Sequence, residues 1–510
     1  MTRLGVKSLD PLLALLTAAL LILTFPRANL AWLAPVALAP LLFAALREGR
    51  PLRRFLLGYG AGVVYWFGVC YWIQFVLSVH GGMGAAAGWT VFLLFCLAKA
   101  LQMGVFALLA GIAMRRAWAA PAVAALWVAI EATHGPLGFA WLALGNAGAD
   151  MSLPMRLAPY TGVYGISFIF ALTAAVLVLA ILRRPRPQLA WVLLLPPLAL
   201  LPKLPDPERG SATAVLVQPD IADDEQWTPQ SFARMEQRLT LLSTGATLKD
   251  KKPIDMLVWP EVPAPLYDND PDLKRFAAGL AAATKASFLL GVVGHAPDGA
   301  ILNSALLISP SGETVSRYDK VNLVPFGEFV PWPLGGVTRK ISTEAGDFRP
   351  GARVVVSSAG AHRIGTFICY ESVFPNFIRQ FAANGAEVLF NISNDSWFGK
   401  SAAREQHLRI VRMRAAENRR WILRATNNGI TASIDPAGRL RSVAPSYEEI
   451  ATRVNYGYVN GTTAYTRHGD WFVWLCALVG LCAVVLRWRS DGAGIYRARA
   501  GPGRRLPLVR

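Results

Sequence analysis

The distribution of apolar residues is the feature that most limits what this chain can form. Almost every residue from Leu12 to about Leu201 is apolar, a stretch of mixed composition follows, and a second apolar run extends from Trp471 to Leu486. The hydrocarbon core of a bilayer is about 30 Å thick, and a helix needs about 20 apolar residues to cross it. With 54% hydrophobic and only 16% charged residues, the composition argues against an ordinary soluble protein. We therefore expect several membrane-spanning helices around one globular domain.

This pattern divides the chain into four parts. We expect a membrane domain at 1–204, a globular domain at 205–466, a last spanning helix within 467–490 and a basic tail at 491–510. The predicted spans are Pro11–Phe25, Leu30–Leu46, Phe55–Ser78, Ala85–Met114, Trp118–Ala132, Tyr160–Leu182, Leu189–Leu201 and Trp471–Leu486. They make an α-helical transmembrane bundle of about eight helices, about seven of them before the globular domain. A cleaved signal peptide is the alternative for the first span, but Phe25-Pro26-Arg27 lacks the small residues of a cleavage site.

The excess of basic residues lies beside the apolar segments. The net charge is +18, yet 28 of the 51 Lys and Arg residues and 27 of the 33 Asp and Glu residues lie between 205 and 466, so the globular domain is balanced. The surplus therefore does not indicate a nucleic-acid partner. Basic residues mark the cytoplasmic loops of membrane proteins instead.

The basic residues fall on alternate loops when the amino terminus is placed in the cytoplasm. The cytoplasmic loops would contain Arg3, Lys7, Arg47, Arg50, Arg53, Arg54, Arg115, Arg116, Arg183, Arg184 and Arg186, and the tail carries further arginines. The opposite loops contain little more than Arg27 and Arg156. This asymmetry predicts that the globular domain lies outside the cytoplasmic membrane.

Three polar residues stand out within the predicted spans, namely Lys99, Glu131 and His134. An intramembrane charge is a candidate for function. The simpler interpretation is that Lys99 pairs within the bundle and that the other two lie at a helix end. A proton or ion pathway normally needs more such groups, so a transporter is not favoured.

Short β-branched runs alternate with helical patterns in the globular domain, which predicts a layered α/β fold. The predicted strands are Thr213–Gln218, Met256–Trp259, Ser287–Val293, Asn303–Ser309, Arg363–Cys369, Val388–Ile392, Ile422–Ala425 and Thr431–Ile434. The predicted helices are Pro229–Ser243, Pro271–Lys285, Pro375–Ala383 and Ala402–Arg420, and the many charges of the last one are expected on an exposed face.

An acid, a lysine and a thiol follow three of these strands or lie close to them. Glu261 ends Met256-Leu257-Val258-Trp259-Pro260-Glu261, Lys320 precedes a loop that contains Glu328, and Cys369 is the one cysteine of the globular domain. Each residue alone has a plain structural explanation, and a single cysteine at a strand end is more often a core residue. Together they supply what acyl transfer through a thioester needs, namely a nucleophile, a base and a cation for the oxyanion. The backbone N–H of Tyr370 is a second oxyanion donor on this hypothesis.

The local sequences around these residues resemble those of the nitrilase superfamily, whose Glu-Lys-Cys triad has Trp-Pro-Glu and Cys-Tyr-Glu contexts. Leu323-Val324-Pro325-Phe326-Gly327-Glu328, Asn391-Ile392-Ser393-Asn394-Asp395-Ser396-Trp397-Phe398 and the flanking spans extend the resemblance to the bacterial apolipoprotein N-acyltransferases. The resemblance implies an αββα sandwich with Cys369 as nucleophile, Glu261 as general base and then acid, and Lys320 stabilising the oxyanion.

The same resemblance implies supporting active-site roles for Glu328, Tyr370 and Glu371, and places Trp227 on a loop near the substrate entrance. It implies a multi-pass protein of the bacterial inner membrane that acts on a phospholipid and an apolipoprotein, without metal or cofactor. We expect a monomer. Because a thioester hydrolyses in water, we expect loops around Trp227 and Phe326–Trp332 to cover the site.

Two other functions fit parts of this pattern. A membrane-anchored amidase or nitrilase acting on small C–N substrates shares the triad but leaves the spans unexplained. A transporter or receptor, in which the outer domain only binds a ligand and Cys369 is a core residue, leaves the triad unexplained. Substitution of Cys369 separates the enzymes from the third hypothesis.

Overall fold

The computed structural model describes residues 9–114, 118–137, 139–206, 210–222, 224–248, 252–325, 327–329 and 348–499, and these form a helical part and an α/β part. The sequence-based predictions on Arg3, Lys7, Arg115, Arg116, Phe326, Trp332 and the end of the basic tail lie outside the described residues.

The helical part begins with six helices of nine residues or more. They are α1 (Asp10–Thr24), α2 (Ala39–Arg47), α3 (Pro51–Val69), α4 (Gly84–Ala113), α5 (Ala119–Ala132) and α6 (Ala158–Ile181). Within the described residues, the segments Gly84–Ala113 and Pro154–Ile181 are long and apolar enough to cross a membrane, and α3 with the bent segment Ile73–His80 makes a third if the pair is one span. Asp10–Thr24, Ala119–Ala132 and Trp471–Leu486 are shorter apolar helices. The helical part is thus apolar as predicted, but a bundle of eight spanning helices is not confirmed.

Besides Phe55–Ser78, which bends after Val69, two predicted spans are not continuous helices. Leu30–Leu46 folds as a 3-10 turn at Ala31–Leu33 followed by the nine-residue helix α2. Leu189–Leu201 forms only short turns of helix. Prolines explain both breaks, because a proline lacks the amide hydrogen of the helical ladder and clashes with the preceding turn; Pro35 interrupts the first segment and Pro196 the second.

Close helix contacts hold the helical part together. A Cβ added at Gly58 of α3 would lie 2.4 Å from the carbonyl oxygen of Met103 on α4, so glycine lets these backbones approach. Helix α6 is kinked at Gly162, whose φ of 64° favours glycine. The amide that this kink frees, on Val163, donates to the carboxylate of Glu417 at 2.8 Å.

Two of the three polar residues singled out in the predicted spans, Lys99 and Glu131, have hydrogen-bond partners. The Nζ of Lys99 donates to the carbonyl oxygen of Phe139 at 3.1 Å and lies 5.0 Å from the ring centroid of Trp66. Glu131, near the end of α5, accepts from the indole of Trp127 and from the amide of Leu144. These contacts agree with the simpler interpretation of Lys99 and Glu131.

The α/β part contains twelve strands and further helices. The strands are β1 (Ala212–Gln218), β2 (Met256–Val258), β3 (Ser287–His295), β4 (Ile301–Ile308), β5 (Thr314–Asp319), β6 (Val356–Ala359), β7 (His362–Ile368), β8 (Val388–Ser393), β9 (Ile422–Thr426), β10 (Ala432–Ile434), β11 (Leu440–Val443) and β12 (Ile450–Tyr456). The helices are α7 (Pro229–Leu248), α8 (Pro271–Thr284), α9 (Pro375–Ala383), α10 (Ala403–Asn418), α11 (Ala464–His468) and finally α12 (Trp471–Arg499), which returns to the helical part. Every strand and helix predicted for this domain is present.

The strands form two sheets with the same pattern. One has the order β12-β1-β2-β3-β4-β5 and the other the order β11-β10-β9-β8-β7-β6. In each sheet three strands run parallel, β1 to β3 and β7 to β9, with one antiparallel strand on one side and two on the other. The domain is therefore built from two similar halves.

The apolar residues arrange these sheets in four layers. Leu239 of α7 and Leu280 of α8 pack on the outer face of the first sheet, around Leu257. A second core lies between the sheets and also takes in Phe381 of α9 and Val411 of α10. The order is helices, sheet, sheet, helices, which confirms the predicted α/β architecture of the αββα type.

Helix α10 was expected to carry its charges on an exposed face, and this prediction is wrong. The helix lies between the second sheet and the helical part, and Arg409, Arg414 and Glu417 are each at most 4% exposed. Arg414 pairs with Glu417 within the helix, whereas Arg409 donates to Asp150 at 2.6 Å, across 259 positions. Burial of charges is tolerated where such partners exist.

Gln406 of α10 ties the two parts of the molecule together. Its Oε1 accepts from the indoles of Trp72 at 3.3 Å and Trp141 at 2.8 Å. Its Nε2 donates to the carbonyl oxygens of Pro26 and Val69, both at 3.1 Å. A single buried side chain thus holds three segments of the helical part against the α/β domain.

Candidate active site

The predicted acid, lysine and thiol all lie just beyond strands of the two sheets. Glu261 follows β2, Lys320 follows β5 and Cys369 follows β7 directly. The first two belong to one sheet and the third to the other. The side chains meet because the sheets are stacked, and Glu261, Lys320 and Cys369 are 6%, 1% and 6% exposed.

Lys320 is held between two carboxylates. Its Nζ donates to Oε1 of Glu261 at 3.0 Å and to Oε1 of Glu328 at 2.9 Å. Asn303 on β4 bridges the same two oxygens, donating from Nδ2 at 2.7 Å to Glu261 and at 2.8 Å to Glu328. The remaining oxygens accept from backbone amides, that of Glu261 from Asn394 and that of Glu328 from Val324, both at 2.8 Å. Every carboxylate oxygen of this cluster is therefore fixed.

The charges of this cluster keep Lys320 protonated. Burial alone would lower the pKa of its ammonium group, but the two neighbouring carboxylates raise it well above the ordinary lysine value. Such a cation is a permanent hydrogen-bond donor. It can stabilise a developing oxyanion but cannot act as a base.

Cys369 lies at a sharp bend between β7 and a short 3-10 turn, Cys369–Val373. Its φ of 50° is in the left-handed region, which costs a residue with a Cβ about 1–2 kcal/mol. Burial is the main reason that the pKa of the thiol is raised above its usual value; the charge of Glu261 raises it further, and Lys320 opposes the shift. The free site therefore holds a thiol next to a carboxylate that can take its proton.

Glu371 is the residue that holds this bend together. Its Oε2 accepts from the amide of Ile368 at 2.8 Å, while its Oε1 accepts from Tyr318 Oη at 2.6 Å and from the amides of Val321 and Asn322 at 2.7 and 3.1 Å. It is fully buried, and burial raises the pKa of this carboxyl from 4.5 to about 7, although the hydrogen bonds oppose the shift. Glu371 thus connects the segment after Lys320 to the segment that carries Cys369.

The other two predicted site residues lie outside the charged cluster. The ring of Tyr370 is buried, 6.1 Å by centroids from Phe139 of the helical part and 5.4 Å from Phe374. Trp227 is 38% exposed and makes an edge contact with Phe232. Among the described contacts none joins Trp227 to the triad. The structure therefore brings five of the seven predicted residues together, places Tyr370 directly after Cys369 and leaves Trp227 apart.

Several polar residues of the site were missed by sequence reasoning. Asn303 is buried in a predicted strand. An amide side chain inside an apolar strand is the signal that would have identified it. Behind Cys369 lies a second buried cluster, in which Asp395 accepts from Arg424 at 2.6 Å and contacts His407 at 3.1 Å. Burial would raise the pKa of Asp395, but Arg424 and His407 bring it well below the usual aspartate value. Asp395 belongs to the motif 391–398 quoted in the sequence analysis. His407 lies in α10, whose charged residues were predicted to be exposed.

The geometry fits nucleophilic acyl chemistry. A thiol, a carboxylate able to accept its proton and a fixed cation occupy one water-poor site, where charges act strongly. Within the described ranges, no group of three or more His, Cys, Asp and Glu side chains is placed to hold a metal ion.

Comparison with known proteins gives matches to both parts of the chain. The family model for the carbon-nitrogen hydrolases matches residues 214–459, and that for the apolipoprotein N-acyltransferase N-terminal domain matches residues 17–176. The apolipoprotein N-acyltransferase of Geobacter metallireducens is 35% identical, over 94% of this chain and 95% of its own. That of Pseudomonas putida is 34% identical, over 90% and 92%. Among solved structures, an amidase from Nesterenkonia sp. is 18% identical with a TM-score of 0.38, covering 53% of this chain and 97% of its own.

Proposed function

This chain belongs to the apolipoprotein N-acyltransferase family, and from that membership we propose a thioester mechanism at Cys369 for its acyl transfer. The donor is a phospholipid, typically phosphatidylethanolamine, and the acceptor is the amino-terminal S-diacylglyceryl-cysteine of an apolipoprotein. The observation that carries the proposal is the buried cluster in which Glu261 and Glu328 hold the ammonium group of Lys320 beside the Cys369 thiol.

In the first half-reaction the Cys369 sulfur attacks the sn-1 ester carbonyl, and Glu261 takes the thiol proton. The tetrahedral intermediate places a negative charge on the former carbonyl oxygen, which Lys320 and the backbone N–H of Tyr370 stabilise. Loss of one such donor typically costs about 3 kcal/mol of activation free energy. The carbonyl re-forms as the ester C–O bond breaks, and Glu261 returns the proton to the departing lysophospholipid.

In the second half-reaction the acceptor amine attacks the thioester carbonyl. Glu261 takes a proton from the amine, the same two donors stabilise the second tetrahedral intermediate, and its collapse breaks the C–S bond. The sulfur leaves as thiolate and recovers a proton from Glu261. The products are an N-acylated lipoprotein and the free thiol, so the cycle is ping-pong chemistry at one site.

Both substrates are lipids, which accounts for the position of the site beside an apolar helical part. Tyr370, next to the nucleophile, packs on Phe139 of that part. The distribution of basic residues supports a multi-pass protein of the inner membrane with its catalytic domain, residues 205–466, on the periplasmic side. We further propose that Trp227 and the loop 326–332 shield the thioester from water, and that the protein works as a monomer.

The decisive experiment is the intact mass of the purified full chain after incubation with phosphatidylethanolamine that carries palmitate at sn-1. The expected result is the mass of one palmitoyl group on Cys369, absent from Cys369→Ser and released on addition of a diacylated lipopeptide. Because Cys482 is a free exposed cysteine, Cys482→Ser serves as the matched control and should still be acylated. An unmodified protein that hydrolyses small amides would instead support the amidase hypothesis.

A further inference from the structure

His407 of α10 contacts the backbone of the nucleophile. Its Nε2 lies 3.1 Å from the carbonyl oxygen of Cys369 and 2.9 Å from Oγ of Ser372. His407, Ser372 and the Cys369 carbonyl are buried, and this bond joins positions 38 apart in the chain. No step of the mechanism above uses this histidine.

The partners of the ring bear on its tautomer. A carbonyl oxygen can only accept, so the bond to Cys369 requires the hydrogen on Nε2, and Oγ of Ser372 can accept from the same N–H. On the other side, Nδ1 lies 3.2 Å from Nη2 of Arg424 and 3.1 Å from Oδ1 of Asp395. Burial lowers the pKa of His407 and the charge of Arg424 lowers it further, while Asp395 and the Cys369 carbonyl oppose the shift. We assign the Nε2 hydrogen to the Cys369 carbonyl, which leaves Nδ1 facing Arg424 and Asp395.

This bond has a geometric consequence for the next residue. In a planar trans peptide the carbonyl oxygen and the following N–H point in opposite directions. Since His407 holds the Cys369 carbonyl toward α10, the N–H of Tyr370 points away from α10. A rotation of this peptide would replace the N–H by a carbonyl oxygen, which would repel an oxyanion.

The backbone bend at Cys369 is strained, so the Cys369–Tyr370 peptide needs contacts that hold its orientation. Cys369 adopts a φ of 50° without being glycine, and residues in this region persist only where their surroundings hold them. Glu371 fixes the amide on one side, at Ile368. His407 fixes the carbonyl on the other side, at the peptide that contains the Tyr370 amide.

We propose that His407 is a positioning residue that fixes the Cys369–Tyr370 peptide and so directs the Tyr370 N–H at the oxyanion. The inference rests on the proposed thioester mechanism, since it assigns the source of one oxyanion donor. Arg424 and Asp395 lie behind it, at Nδ1, and hold the orientation of the ring.

The test separates oxyanion stabilisation from thiol reactivity. Acylation by phosphatidylethanolamine passes through an oxyanion, whereas alkylation of Cys369 by iodoacetamide is a direct displacement without one. In His407→Leu we expect acylation to be about 100-fold slower, the effect of losing one oxyanion donor, with the KM for phospholipid and the alkylation rate within about twofold of wild type. His407→Gln should recover much of the acylation rate, because its Nε2 is as many bonds from Cα as that of histidine and can donate to the same carbonyl.

The controls keep the outcome decisive. His362→Gln, at a partly exposed histidine paired with Glu387, should change neither rate. If His407→Leu fails to fold, His407→Asn replaces it, since asparagine reaches the Asp395 side but not the Cys369 carbonyl. Equal losses of acylation and alkylation, or unchanged acylation in the variants that lack the donor, would overturn the proposal. Absence of an acyl-enzyme in the wild-type protein would instead overturn the proposed mechanism.

Discussion

Oε1 of Glu261 lies 3.0 Å from Nζ of Lys320, so the proposed general base and the proposed oxyanion donor are paired with each other in the free protein. The same cation also contacts Glu328. One positive charge therefore compensates two buried carboxylates, and the cluster has a net negative charge beside the thiol. This balance determines what happens when any member is replaced.

Replacement of Lys320 by methionine should damage both stability and activity. It leaves Glu261 and Glu328 buried together without a cation, and breaking a buried ion pair costs about 3–5 kcal/mol. We expect a clear fall in the melting temperature of the detergent-solubilised protein and at least about a 100-fold loss of acyl-enzyme formation. Lys274→Met, at an exposed position of α8, is the matched control. The double variant Lys320→Met with Glu261→Gln should melt at a higher temperature than Lys320→Met alone, and a lower value would contradict this account of the charges.

The raised pKa of the Cys369 thiol predicts its reaction with iodoacetamide. Only the thiolate reacts, so the alkylation rate should rise roughly tenfold per pH unit through pH 9 without reaching a plateau. Glu261→Gln removes a negative charge that raises this pKa. Alkylation at neutral pH should then be as fast as in wild type or faster, while acyl transfer is lost because the base is gone. Loss of both reactions in this variant would argue against Glu261 as the general base.

Glu371 should make a pH-dependent contribution to stability. Its folded-state pKa of about 7 lies above the ordinary 4.5, so the folded protein binds this proton more tightly than the unfolded chain. The corresponding stabilisation is present below about pH 4.5 and is lost as the pH rises through 7, a change on the order of 3 kcal/mol. Glu371→Gln does not titrate. The melting temperature of wild type minus that of this variant should therefore fall between pH 5 and 8, and a constant difference would show that Glu371 does not titrate there.

Replacement of Gln406 should weaken the contact between the helical part and the α/β part. Gln406→Leu leaves the indoles of Trp72 and Trp141 and the carbonyls of Pro26 and Val69 without this partner, and an unsatisfied buried polar group costs about 1–3 kcal/mol. We expect a lower melting temperature and faster proteolysis between the helical and α/β parts. Gln380→Leu, at a less buried glutamine of α9, should behave like wild type. Equal proteolysis of the two variants would indicate that Gln406 does not hold the parts together.

Local sequence patterns predicted the strands before Glu261 and Cys369 but missed β5, the strand before Lys320. The eight predicted strands contain runs of apolar or β-branched residues, and all are present. The four missed strands, β5, β6, β11 and β12, are more exposed and polar, as in Thr314-Val315-Ser316-Arg317-Tyr318-Asp319, so their pattern resembles that of a loop.

The wrong prediction for α10 and the omission of His407 have a different cause. Both concern residues whose partners are distant in sequence. The charges of α10 looked solvent-exposed, since nothing near Arg409 in sequence shows that Asp150 is its partner. His407 was missed for the same reason, because its contacts with Cys369 and Asp395 exist only after the second sheet and α10 pack together. Composition indicated a membrane protein, but it does not show where prolines and bends interrupt the helices. The predicted number of eight spans is therefore not confirmed.

The kink of α6 is completed by a residue that is synthesised much later in the chain. The amide of Val163 is satisfied by Glu417, which is synthesised 254 residues later. When α6 first forms, this group cannot yet have its native partner, and no local side chain substitutes for it in the finished structure. The native contacts of this kink can therefore form only when the α/β domain packs against the helical part. The last step in folding of the helical part thus depends on the domain that contains the candidate active site.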